Sequence, residues 1–64
     1  MGGIELALRE RLEMAGCYAT GRDDDGRELW FTPHLNTCFA LPRAIATAAA
    51  ANAVLRSAGM EEAF

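Results

Sequence analysis

Hydrophobic positions along the first fifteen residues recur at spacings of three and four: Ile4, Ala7, Leu8, Leu12 and Ala15. That period places them on one face of a helix running from Ile4 to Ala15. Glu5 and Arg9 stand four apart in the favourable order, and Gly16 occupies the place where a left-handed cap ends a helix. From Cys17 the period shortens, and three β-prone pieces follow: Cys17–Thr20, Glu28–Thr32 and Thr37–Leu41. Asp25-Gly26 marks a tight turn between the first two. Pro33 ends the second piece, and Asn36 suits the turn into the third. Two short connections in succession make an antiparallel three-stranded meander the simplest topology.

Pro42 fits a first helical position, and the alanine-rich run from Arg43 to Ala58 predicts a second helix. Its inner face would be narrow: Ala44, Ile45, Ala48, Ala51, Leu55 and Ala58. Gly59 fits the left-handed position beyond its end, with Met60 folding back onto Leu55. The acidic tail from Glu61 to Phe64 is expected to fray. The predicted architecture is therefore α+β, in the order α-β-β-β-α, with a three-stranded antiparallel meander and both helices packed on one face. Alternation along the strands admits two registers. In the first, Leu29, Phe31, Phe39 and Leu41 face the helices, and Trp30 points outward with Cys38, Ala40 and either Tyr18 or Cys17. In the second, Trp30 closes the core, and Leu29 or Phe31 faces out.

At 64 residues the chain is one domain, near the lower size limit for unaided folding. Its two cysteines, Cys17 and Cys38, are fewer than a small secreted scaffold usually carries, and we expect both to be reduced and buried. The opening residues show neither the basic stretch nor the apolar run of a secretion signal, and the alanine run is too short and too interrupted for a bilayer. These features point to the cytoplasm. Nine acidic residues against six basic ones give a net charge of −3, which disfavours direct nucleic-acid binding.

Candidate chemistry is sparse. His34 is the one histidine, and no catalytic motif surrounds it or either cysteine. Cys17, Cys38 and His34 lack the paired spacing of zinc ligands. Asp23-Asp24-Asp25-Gly26 lacks the alternating ligands of a calcium loop, and Thr32 stands where that loop needs glutamate. No glycine-rich phosphate cradle is present. We therefore expect no enzyme activity, metal or cofactor, and a monomer that binds a protein partner. Its candidate contact residues are Asp23, Asp24, Asp25 and Glu28 for electrostatic complementarity and Trp30 as an apolar anchor.

Two resemblances bear on this. The stretch Phe39-Ala40-Leu41-Pro42, together with Val54-Leu55-Arg56-Ser57-Ala58-Gly59-Met60, resembles the end of HicA-type toxins. That likeness implies a double-stranded-RNA-binding-like fold and an alternative role, a toxin–antitoxin module that binds or cleaves RNA. The family's catalytic histidine has no counterpart in Cys17–Arg22, which leaves His34 as the sole proton-transfer candidate. As a small, free-standing acidic domain without catalytic motifs, the chain is also similar to phage-encoded inhibitors, including anti-CRISPR proteins. That likeness implies a stoichiometric inhibitor that blocks the DNA site of a nucleic-acid-handling complex, such as a CRISPR effector, as a partial DNA mimic. In a third reading, an exposed sheet edge pairs with another chain.

Overall fold

A computed structural model describes residues 3–64. It shows the order α1 (Gly3–Met14), β1 (Tyr18–Arg22), β2 (Glu28–Thr32), β3 (Thr37–Ala40) and α2 (Ala48–Ser57). The strands form one antiparallel sheet in the order β1-β2-β3. The Cα envelope measures 24 × 24 × 16 Å, the thickness of a sheet with one helical layer.

Both helices end in the same way. After α1, Gly16 takes φ +93, its N–H donates to the Glu13 carbonyl, and the Cys17 N–H reaches back to the Leu12 carbonyl at 2.9 Å. After α2, Gly59 takes φ +76, its N–H donates to the Arg56 carbonyl, and the Met60 N–H reaches back to the Leu55 carbonyl at 2.8 Å. Each pair of bonds is a Schellman motif, and each lays a following apolar residue, Cys17 or Met60, on the core. Gly59 carries a second constraint, since a Cβ there would lie 2.7 Å from Leu35 Cγ. Gly59→Ala is expected to cost ~1 kcal/mol and lower the melting temperature by roughly 4–8 °C. An unchanged melt would show that the cap contributes nothing to stability.

α2 begins later than the alanine content suggests. Thr47 is its N-cap, with extended φ −128 and ψ 156 and a hydroxyl that accepts from the Ala50 N–H. Residues 42–47 instead form an irregular crossing segment that buries Ile45. Ala44 and Ala48 are exposed, whereas Val54 joins Ala51, Leu55 and Ala58 on the buried face. The tail is held rather than frayed: Asn52 Oδ1 accepts from the N–H groups of Ala63 and Phe64, and Asn52 Nδ2 donates to the Phe64 carbonyl.

The register is the second of the two predicted. Trp30 is 3% exposed and Thr32 is fully buried, so β2 turns Glu28, Trp30 and Thr32 toward the helices. Leu29 and Phe31 therefore lie on the opposite face, half-buried. Trp30 pairs with Ala19 and Phe39, and Phe31 pairs with Tyr18 and Cys38. Cys38 is thus exposed rather than buried, while Cys17 is buried, and both thiols are free. The Thr32 hydroxyl donates to the Ala58 carbonyl at 2.6 Å and so ties the middle strand to the end of α2. No helix among the described residues is long and apolar enough to cross a membrane.

Candidate interaction surfaces

The five residues expected to meet a partner fall into three different environments. Trp30 lies in the core, and its indole N–H donates to Glu28 Oε1 at 3.0 Å. Of its two predicted placements it takes the core one, which removes it as an apolar contact anchor. A domain this small gains more by burying its largest side chain, provided that the indole N–H finds an acceptor.

Glu28 supplies that acceptor and is itself committed. Arg9 of α1 grips it through two bonds, Nη1 to Oε1 at 2.9 Å and Nη2 to Oε2 at 2.7 Å. The Arg9 hydrogen bond, followed by that from Trp30, brings the Glu28 carboxyl from its ordinary 4.5 down to about 2. The same contact raises the Arg9 pKa further. Glu28 thus fastens α1 to β2 and presents little free charge.

Asp23 organises the β1–β2 hairpin. Its N–H donates to the Arg27 carbonyl and its own carbonyl accepts from the Gly26 N–H, which closes a three-residue loop with Gly26 at φ +83. Its side chain accepts from the N–H groups of Asp25 and Arg27 and from Arg27 Nε at 2.9 Å. These bonds, the Arg27 N–H foremost, hold its pKa below the usual range. Asp24 and Asp25 remain at the exposed loop tip, with Arg27 Nη2 3.6 Å from Asp25. Of the four expected carboxylates, only these two lie on exposed residues, and Asp25 shares the Arg27 charge at that longer distance.

The aromatic surface lies elsewhere. Tyr18 is 56% exposed, and its ring centroid sits 5.5 Å from that of Phe31, at an angle of 37°. Leu29, Cys38 and Ala40 share this face, which no helix covers. Thr20 is the extra residue of a bulge in β1, and its hydroxyl donates to the Leu29 carbonyl. The sequence left this outward position to Tyr18 or Cys17, and the register assigns it to Tyr18 while Cys17 is buried.

His34 sits in the β2–β3 turn, with Nε2 3.1 Å from the Ala15 carbonyl at the end of α1. Among the described residues, no three His, Cys, Asp or Glu side chains gather as a metal site. Comparison with protein-family models, curated proteins and solved structures finds no match to this chain. Any functional reading therefore rests on its own residues.

Proposed function

We propose that the chain is a non-enzymatic protein-binding domain that acts in the cytoplasm as an inhibitor, with the open face of its sheet as the contact surface. The Tyr18–Phe31 pair on an uncovered face carries this reading. Large rings with a polar end are the groups that most often anchor interfaces, and Leu29 and Cys38 extend the apolar area around them. Asp24 and Asp25 act at the rim, where charge sets on-rate and partner choice more than affinity. The net charge of −3 favours a partner with a cationic surface, and a nucleic-acid-handling complex such as a CRISPR effector is the narrower form of the proposal. With Glu28 and Asp23 occupied by arginines, mimicry of DNA would fall to the hairpin tip alone.

The test is a pull-down with tagged protein from nuclease-treated bacterial lysate, comparing wild type, Tyr18→Ala and Asp24→Asn/Asp25→Asn. Loss of one central aromatic anchor is expected to weaken capture of the retained protein by at least about tenfold, with circular dichroism unchanged. The aspartate variant should alter mainly the salt dependence of capture. Undiminished capture by Tyr18→Ala would refute the sheet face as the anchor. Capture that survives excess competitor DNA would refute the mimic.

A further inference from the structure

Four of the six arginines line one groove of about 350 Å³, in a protein whose net charge is negative. They come from four separate segments: Arg9 from α1, Arg22 from β1, Arg27 from the residue preceding β2, and Arg43 from the crossing segment before α2. Two of them are neutralised locally, Arg9 by Glu28 and Glu5, and Arg27 by Asp23 and Asp25. Among the described residues no carboxylate lies within ion-pair distance of Arg22 or Arg43; Glu28 also lines the groove and feels the Arg22 charge, but its own oxygens are taken by Arg9 and Trp30.

These two guanidinium groups are nevertheless held in place. Arg22 Nη1 donates to the Gly26 carbonyl at 3.0 Å, and Arg43 Nη2 donates to the Asp25 carbonyl. The acceptors belong to successive residues, so both cationic heads are anchored on the same hairpin turn beside the groove. Gly26 permits this approach, because a Cβ there would lie 3.2 Å from Arg43 Nη2. Each guanidinium has five N–H donors and spends one on the backbone in these bonds, leaving the planar fork for a ligand. Leu41 and Pro42 add an apolar wall, and the volume falls within the range of small-molecule sites.

We propose that this groove binds a small phosphomonoester, with Arg22 and Arg43 gripping the phosphoryl oxygens and the exposed ring of Pro42 contacting the organic part. A dianion with several acceptor oxygens matches two adjacent unpaired guanidinium groups, and charge-assisted forked bonds are the strong ones. Arg9 and Arg27 shape the walls without competing, since their own charges are already balanced. The site meets the proposed protein-binding surface only at Asp25, whose backbone carbonyl rather than its carboxylate takes part here, and it does not rest on that reading.

The experiment titrates the full chain with inorganic phosphate and with phenyl phosphate, followed by calorimetry and by amide nitrogen–proton shifts. Saturable binding in the millimolar range or tighter is expected, with phenyl phosphate stronger and the shifts centred on Asp25, Gly26 and Arg43. Arg22→Gln/Arg43→Gln should weaken binding by at least about tenfold. Arg11→Gln/Arg56→Gln removes the same charge outside the groove and should change affinity by less than about twofold. Absence of saturable binding to the wild type would overturn the proposal, as would equal weakening by both double variants. Should the first double variant fail to fold, the wild-type shift map decides: shifts clustered away from the hairpin would overturn the site.

Discussion

Replacing Trp30 with alanine is expected to unfold the chain rather than merely to weaken an interaction. The side chain is 3% exposed and packs in one cluster with Leu8, Leu12 and Leu55, so its removal leaves a void in the middle of the core. Truncating a buried aromatic costs ~3–5 kcal/mol, against the roughly 3–10 kcal/mol that a domain of this length holds in total. It also leaves the Glu28 carboxylate without one donor. Trp30→Phe should be milder, since it keeps most of the volume and loses the indole hydrogen bond. Far-UV circular dichroism and amide dispersion would follow both variants. Because Trp30 is the one tryptophan, blue-shifted emission from the wild type reports its burial directly. A Trp30→Ala chain that melts like the wild type would place the indole on the surface and restore it as an interface anchor.

How the sequence came to leave Trp30 between two positions is instructive. Element order, both glycine caps and both turns were readable because each depends on neighbouring residues: Gly16 and Gly59 at positive φ, Asp25-Gly26 in the hairpin, and Asn36 at φ 53 in the second turn. The face of β2 was not readable, because Leu29, Trp30 and Phe31 are apolar in succession and carry no alternation. Contacts distant along the chain decide it, namely Arg9 with Glu28 and Thr32 with Ala58. Both use polar side chains that a hydrophobic pattern treats as surface.

The second helix failed for the opposite reason. Helix propensity at Ala44 and Ala46 outweighed the capping signal of Thr47, whose extended backbone and bond to the Ala50 N–H start the helix only after Ile45 has been buried in the crossing segment. The acidic surface failed because charge along the sequence is not charge in space. Arg9 and Arg27 fold onto Glu28 and Asp23, while the convergence of Arg22 and Arg43 on one turn arises only when four segments meet.

The Arg9–Glu28 clamp predicts a particular response to acid. Glu28 titrates near 4.5 in an unfolded chain and near 2 in the folded one, so the folded state holds its carboxylate more strongly. A depressed folded pKa gives stability that is fully present above pH 4.5 and disappears as pH falls from there through 2. The side chain is 25% exposed, so solvent screening reduces the contribution to about 2 kcal/mol. Asp23 acts with the same sign, since its pKa is also lowered. Glu28→Gln removes the charge while keeping an oxygen for Trp30 or Arg9. At neutral pH it should therefore already lack most of that stability, and its unfolding free energy should fall less between pH 4.5 and 2. Urea unfolding across this window, with Asp23→Asn alongside, separates the two carboxylates. Parallel losses in wild type and Glu28→Gln would mean that the clamp does not couple α1 to the sheet energetically. A flattened profile for Glu28→Gln, with a smaller change for Asp23→Asn, would identify Glu28 as the main acid-sensitive tie between the helical layer and the strands.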